Sequence, residues 1–99
     1  MITIKIGDCT DRLKDLPNNS VDAVICDPPY GVRYLEKGWD NLGKGIQQRE
    51  WHKAWVSEAH RVLKPRGVLK AFSSAKTLHH LISTMTEAGF LDLAVEAWV

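Results

Sequence analysis

The sequence lacks the features that mark membrane, secreted and metal-dependent proteins. No apolar run among its 99 residues approaches the ~18 that a membrane-spanning helix needs. The first residues, Met1-Ile2-Thr3-Ile4-Lys5, alternate like a strand and have no apolar stretch typical of a signal peptide. We therefore expect a cytoplasmic protein, in which Cys9 and Cys26 are free thiols rather than a disulfide or a metal pair.

Concentrated charge and metal-binding patterns are also missing. The net charge is only +1, whereas strong autonomous binding to nucleic acid usually requires a clustered basic face. A modest basic patch is an alternative to an ordinary solvated face, and its members would be Arg61, Lys64, Arg66, Lys70 and Lys76. The histidines have no spacing that indicates a metal site. We therefore predict no bound metal.

Segments of alternating helix and strand character fill the chain. Strands are predicted at residues 2–7, at Val21–Cys26, at Val68–Phe72 and, with alternating polarity, at residues 91–98. Helices are predicted from Asp11 to Leu16, from about Gln47 to Leu63, and between the serines at 73 and 74 and Gly89. The β-α-β-α-β-α-β order predicts a single three-layer α/β domain over residues 1–99, with a mostly parallel sheet and flanking helices.

Several details of these segments can be tested against a structure. Thr10 is a plausible N-cap of the first helix and Pro17 its stop, and Ser73 or Ser74 would cap the last helix. The long helix carries an apolar face formed by Trp51, Trp55, Ala59 and Val62. Residues 31–46 contain four glycines and no sustained periodicity, which favours a flexible surface loop.

The most informative residues are Asp27-Pro28-Pro29-Tyr30, which directly follow the predicted strand Val21–Cys26. Open α/β sheets bind ligands at the carboxyl ends of their strands. Two consecutive prolines stiffen the backbone and leave carbonyls free to accept hydrogen bonds. A carboxylate, a fixed carbonyl and an aromatic ring can together hold an NH2 group on a flat heterocycle, as is needed for a base taken out of the DNA stack.

This tetrapeptide resembles the catalytic motif of the amino-methylating DNA methyltransferases, which methylate N6 of adenine or N4 of cytosine. The surrounding sequence resembles the permuted subgroup, in which the catalytic half precedes the cofactor half. The residues that carry this second resemblance are Gly7-Asp8-Cys9, Leu16-Pro17, Ser20-Val21-Asp22, Trp39-Asp40 and Arg61-Val62-Leu63-Lys64-Pro65. The chain thus resembles the amino-terminal, catalytic half of a partial Rossmann-like methyltransferase.

The resemblance implies S-adenosylmethionine as cofactor, DNA as partner and a role in restriction-modification, with adenine N6 the favoured target. Asp27 would accept a hydrogen bond from the target amine, Pro28 would offer its carbonyl, and Tyr30 would stack on the base. Pro29 completes the motif. Asp8 would lie near the cofactor's adenine, although N-capping of a helix explains it nearly as well. Trp39 is expected to anchor its loop.

The glycine-rich loop that holds the cofactor in this family has no counterpart here. Gly43-Lys44-Gly45 is a lone G-x-G without a preceding strand, which favours a flexible loop over a nucleotide cradle. The family's Lys-Pro-Gly-Gly turn is replaced by Lys64-Pro65-Arg66-Gly67, in which Gly67 could supply a positive φ. A non-catalytic remnant that dimerises or binds a partner, and a methylase of RNA or protein amines, are the alternatives.

The missing half bears on assembly. Without its strands, one edge of Val21–Cys26 has unpaired backbone groups. We expect the strand at residues 2–7 to pair with this edge, giving four strands in the order 1-2-3-4 with the last antiparallel. We also expect a homodimer, or association with a missing cofactor half, because Trp51, Trp55 and Met85 offer a large apolar surface.

Overall fold

A pair of parallel strands forms the sheet of the chain. The computed structural model describes residues 1–32, 38–43 and 45–97. Within them β1 (Val21–Cys26) pairs with β2 (Leu63–Ala71), and the register places Val24 opposite Leu69 and Cys26 opposite Ala71. The described residues also form the helices α1 (Cys9–Leu13), α2 (Ile46–Val62) and α3 (Leu78–Ala88) and a 3-10 turn (Gly38–Asp40).

Helices α2 and α3 pack on one face of this sheet and form the core. Every second strand residue faces them, so the sheet side of the core consists of Val24, Cys26, Leu69 and Ala71. The helix side consists of the buried residues Trp55, Val56, Ala59, Leu81 and Met85. The prediction of an α/β domain with a parallel sheet and flanking helices is therefore confirmed.

The opposite face of the sheet is bare in the described part of the chain. The side chain of Ile25 is 72% exposed and that of Val68 is 62% exposed. Such β-branched residues are typical of a strand that is covered on both sides. The sequence of β1 thus suits a three-layer fold, while the described helices α2 and α3 supply one of its two outer layers.

The two terminal strands of the predicted sheet do not form. Residues 2–7 and 91–97 lie within the described ranges but pair with neither strand, so the four-stranded order 1-2-3-4 is wrong. Ile2, Ile4 and Ile6 are each more than four-fifths exposed. Strand pairing must outweigh the conformational entropy of ordering each residue, about 1–2 kcal/mol, and no described element buries these side chains.

The apolar surface invoked for a homodimer is largely used inside the molecule. Trp55 is 5% exposed and Met85 is 9% exposed, because α2 and α3 pack on each other and on the sheet. Trp51, by contrast, is 41% exposed and lies outside the core cluster. The predicted apolar stripe of α2 is therefore correct for Trp55, Ala59 and Val62 and wrong for Trp51.

Two helix caps differ from the predicted ones. Asp8, and not Thr10, caps α1: its carboxylate accepts a hydrogen bond from the Thr10 amide at 2.9 Å. Thr77, and not either serine, occupies the N-cap position of α3 and makes no side-chain capping bond. Gly89 ends α3 in the left-handed conformation with φ 107°, as predicted.

The start of β2 contains the departure from the Lys-Pro-Gly-Gly pattern. The register shifts between Val21, which pairs with Leu63, and Ala23, which pairs with Val68. The positive φ in this stretch, 68°, belongs to Arg66 and not to Gly67. Gly67 is needed for a different reason, since a Cβ there would lie 2.8 Å from the Lys64 carbonyl oxygen. Glycine is therefore favoured at both position 66 and position 67, but the sequence has it only at position 67.

No helix of the described ranges is long and apolar enough to cross a membrane.

We predict that Arg66→Gly stabilises the chain. A non-glycine residue in the left-handed region costs about 1–2 kcal/mol, which exceeds the entropy that glycine adds to the unfolded state. The free energy of unfolding, measured by urea titration, should rise by about 0.5–1 kcal/mol. Lys64→Gly is the control, because Lys64 is exposed on the same strand and is not among the residues with positive φ; it should destabilise. A loss of stability in both variants would contradict the prediction.

We also predict that stability falls with acid because of His52. This residue is 3% exposed, and its Nδ1 accepts a hydrogen bond from Trp55 Nε1 at 3.0 Å. Burial first, and the nearby His80 second, lower the pKa of His52 from 6.5 to about 4. The folded state therefore resists a proton that the unfolded chain accepts. The stabilisation is complete above pH 6.5 and is lost as the pH falls towards about 4, by an amount of about 3 kcal/mol.

Urea unfolding from pH 7.5 to 4.5 measures this loss. His52→Gln should have a markedly flatter profile, because glutamine does not titrate in this range. An identical pH slope in the two proteins would assign the effect to other groups.

Candidate active site

The sheet brings the tetrapeptide to the edge where parallel strands end. Asp27 follows the last residue of β1, and the amide of Phe72, just after β2, donates to the Cys26 carbonyl at 3.2 Å. The carboxyl ends of both strands therefore meet at Asp27-Pro28-Pro29-Tyr30. This is the position at which open α/β sheets bind their ligands.

A cavity of about 450 Å³ opens at this edge. Its lining combines two aromatic rings, two carboxyl groups, both prolines and one aliphatic side chain, and consists of Asp27, Pro28, Pro29, Tyr30, Val32, Trp39 and Asp40. All four residues of the tetrapeptide thus line one cavity. A mostly apolar cleft with a few polar groups is the usual form of a site for a small ring system.

Asp27 and Tyr30 interact directly within the tetrapeptide. Their side chains are hydrogen-bonded, and this bond is the main reason why the pKa of the Tyr30 phenol is raised above 10; partial desolvation and the Asp27 charge add to it. The phenol O–H is therefore the donor of this hydrogen bond, and the Asp27 carboxylate is the acceptor. The two groups predicted to bind the amine and to stack on the base are held as one unit.

The backbone carbonyl of Tyr30 is bound from two helices. Gln48, in the first turn of α2, donates from Nε2 at 3.1 Å, and Thr77, at the start of α3, donates from Oγ1 at 2.5 Å. Gln48 is 2% exposed. Neither residue was identified from the sequence, because a polar residue near a helix start is ordinarily explained by solvent or by the helix itself.

The next residue, Gly31, is fixed from a third element. Its amide donates to Asp40 Oδ1 at 2.8 Å, and Asp40 is 1% exposed. Gly31 has φ 75°, and a Cβ there would lie 2.4 Å from Gln48 Nε2. Glycine is therefore required at this position both for the backbone conformation and for the close approach of Gln48.

The buried anchor of the loop is Asp40, for which the sequence suggested no role, and not Trp39. Trp39 was expected to anchor the loop, but its side chain is 60% exposed and lines the cavity. Asp40 is the buried anchor. Of the predicted flexible loop 31–46, residues 33–37 and 44 lie outside the described residues, and flexibility of the loop stays a prediction.

Burial raises the pKa of the Cys26 thiol, at the end of β1, to about 11, with smaller contributions from Cys9, the first residue of α1, and from Asp27. Both cysteines are free thiols. Asp8 precedes Cys9 and uses one carboxylate oxygen to cap α1, so the capping explanation is correct for that oxygen.

Ser73 and Ser74 are not among the residues that line the cavity. Ser73 and Ser74 follow β2 at the same edge, but Ser74 Oγ accepts from the Lys76 amide and so serves a local turn. In the described part of the chain, no three His, Cys, Asp or Glu side chains are placed to hold a metal ion.

Comparison with known proteins agrees with the geometry of the site. Residues 21–99 match the model of a family described as DNA methylase. The Type II methyltransferase M.HinfI of Haemophilus influenzae is 26% identical over 110 residues, which cover 97% of this chain and 31% of that protein. The Type II methyltransferase M.BamHI of Bacillus amyloliquefaciens is 32% identical over 71 residues, which cover 71% of this chain and 17% of that protein.

The chain therefore spans about a third or less of the length of these curated relatives. The family match, in contrast, covers most of the chain and begins at Val21, the first residue of β1. It includes the whole cavity lining and both helices of the core. On this basis the chain belongs to the DNA methylase family.

Proposed function

We propose that the chain is the catalytic half of an S-adenosylmethionine-dependent methyltransferase that acts on the exocyclic amine of a DNA base. The observation that carries this proposal is the placement of Asp27-Pro28-Pro29-Tyr30 in one cavity at the carboxyl end of β1. The similarity to two Type II methyltransferases supports DNA as the substrate and restriction-modification as the setting. It also favours this function over methylation of RNA or protein amines.

The side chains present fit the acceptor of the methyl group. Asp27 would accept a hydrogen bond from the NH2 group and so raise electron density on its nitrogen. The Pro28 carbonyl would take the second amine hydrogen, since proline leaves this backbone free of a competing donor. Tyr30 would stack on the ring, and its hydrogen bond to Asp27 would keep the carboxylate at the ring's edge. Pro29 would keep the backbone between them rigid.

A cytosine and an adenine both carry the required amine. The cavity is large enough for a purine, and adenine N6 is the target that we favour. Either base would first have to leave the DNA helix, because its amine is otherwise paired and out of reach of the carboxylate.

The residues present fit the cofactor less well than they fit the base. S-adenosylmethionine would supply the methyl group when bound. Among the described residues only Asp8 is a candidate ligand, and its carboxylate already holds the Thr10 amide. We therefore assign most of the cofactor site to a second polypeptide segment, which would also cover the exposed face that carries Ile25 and Val68.

A second candidate function is that of a non-catalytic module that dimerises or binds a partner. The bare sheet face and the unpaired edge of β1 favour it. The same two features suit a homodimer, which we retain as part of this alternative. The intact tetrapeptide favours the enzyme, because a module that only binds has no need of a carboxylate in the cavity.

We predict that the 99-residue chain by itself binds S-adenosylmethionine weakly or not at all. The reason is that no described residues form a glycine-rich turn that the cofactor could approach closely. Calorimetric titration checks this. A dissociation constant below roughly 10 μM, equivalent to about −7 kcal/mol, would sink the assignment of the cofactor site to another segment.

We predict that Asp27→Ala abolishes most methyl transfer and spares cofactor binding. The measurement is transfer of a labelled methyl group to DNA by the chain together with the segment that supplies the cofactor site. We expect kcat to fall at least about a hundredfold, as is typical when a group in hydrogen-bond contact with the reacting atoms is removed.

Asp22→Ala is the matched control. Asp22 lies on β1, the strand that leads into the tetrapeptide, and its side chain is exposed. Among the described residues, its ion pair is with Lys64. Its removal should leave turnover within about twofold, since exposed ion pairs contribute little. Equal losses in the two variants, or loss of cofactor binding in Asp27→Ala, would count against the role of Asp27.

A further inference from the structure

The peptide group between Tyr30 and Gly31 is held by three side chains. Its carbonyl accepts hydrogen bonds from Gln48 and Thr77, and its N–H donates to Asp40. A peptide group is planar, so hydrogen bonds to both its carbonyl and its N–H restrict its orientation. The three bonds come from three different elements: α2, the N-cap of α3 and the turn Gly38–Asp40.

Two of the three side chains are shielded from water, and the third makes no capping bond. Gln48 and Asp40 are both at most 2% exposed, so water cannot replace either one. Thr77 stands at the N-cap of α3, where threonine ordinarily accepts from a helix amide. It makes no such bond and directs its hydroxyl to Tyr30 instead. Its backbone, with φ −120° and ψ 2°, also departs from the extended conformation of a capping residue.

The orientation of this peptide determines where the Tyr30 side chain lies. The Tyr30 carbonyl and Cβ are attached to neighbouring atoms, so fixing one restricts the other. The fixed peptide therefore restricts the direction of the Tyr30 Cα–Cβ bond, and the hydrogen bond of the phenol to Asp27 holds the other end of the side chain. Its ring is thereby kept in the cavity, and its phenol is kept on Asp27.

We propose that Gln48, Thr77 and Asp40 are positioning residues that orient Tyr30 for stacking on the methyl-accepting base. The proposal rests on the function given above for Tyr30. The three residues do not line a single surface towards the base: Asp40 reaches the cavity wall, while Gln48 and Thr77 act through the carbonyl. They couple the first turns of α2 and α3 to the tetrapeptide.

Nuclear magnetic resonance on the 99-residue chain tests the proposal. The first readout is hydrogen exchange of the Gly31 amide, and the second is the chemical shift of the Tyr30 ring carbons. Thr77→Val keeps the shape of the side chain and removes the hydroxyl. We expect Gly31 exchange to accelerate about tenfold, the effect of losing one hydrogen bond, and the Tyr30 ring signals to shift. Core amides such as that of Val56 should not change.

Three further variants separate positioning from general stability. Thr77→Ser keeps the hydroxyl and should restore both readouts. Thr86→Val removes a hydroxyl from the same helix that bonds only the Ile82 carbonyl, and should leave both unchanged. Gln48→Met removes the second donor to the Tyr30 carbonyl, and it replaces Thr77→Val in these measurements if that variant does not fold. Unchanged Gly31 exchange and Tyr30 signals in a folded Thr77→Val or Gln48→Met protein would overturn the proposal, as would unprotected Gly31 exchange in the wild type.

Titration with 2′-deoxyadenosine and 2′-deoxycytidine distinguishes this inference from the proposed function. The wild-type Tyr30 ring and Trp39 indole signals should respond saturably, and Thr77→Val should weaken the response several-fold while Thr77→Ser retains it. No response from either nucleoside, with the exchange results as expected, would refute base binding and leave the positioning of Tyr30 established. A response equally strong in Thr77→Val would refute the inference and leave base binding intact.

Discussion

The parallel pairing of β1 with β2 is the interaction on which the rest of the structure depends. It aligns Cys26 with Ala71, so the chain leaves both strands at the same edge, and the two exits become the tetrapeptide and the approach to α3. The same pairing presents Val24 and Leu69 side by side to the helices. A one-residue slip would turn these side chains to the other face. It would also move Tyr30 away from Thr77, so the core and the cavity are set by one register.

The helices then serve the site as well as the core. Residues from the middle of α2 and α3 fill the core, whereas their first turns, at Gln48 and Thr77, bind the Tyr30 carbonyl. Packing of Trp55 and Val56 on Leu81 therefore fixes the separation of the two donors. Side chains at the start of a helix are well suited to this task, because no earlier turn of the same helix lies beside them. The stability of the core and the precision of the cavity have a common source.

The sequence predicted the elements whose signals are local and missed the contacts that are not. A β-branched run and Gly89 are sufficient for β1 and the end of α3, and the candidate site was predicted from the composition of the tetrapeptide. The predicted bounds of the first helix, Asp11 to Leu16 with Pro17 as its stop, are wrong, because α1 begins at Cys9 and ends at Leu13. Residues 2–7 carry an equally clear alternation but form no strand, because a strand also needs a partner surface that covers its apolar face. Gln48, Thr77 and Asp40 have no periodic signal, since their partners lie 18, 47 and 9 positions away along the chain. Trp51 and Trp39 show the same limit, because an aromatic side chain is buried only where another element of the fold packs against it.

The exposed β-branched residues on the far side of the sheet link the stability of β1 to the proposed cofactor segment. Ile25 belongs to the same strand that carries the tetrapeptide, and burial of such a side chain contributes about 1.5–3 kcal/mol. A segment that covered this face would therefore stabilise β1 and, through its register, the position of Asp27. If the same segment also brings the cofactor site, as we propose, then binding of the cofactor half and ordering of the catalytic half are one event. Catalytic geometry would in that case be complete only when both halves are present.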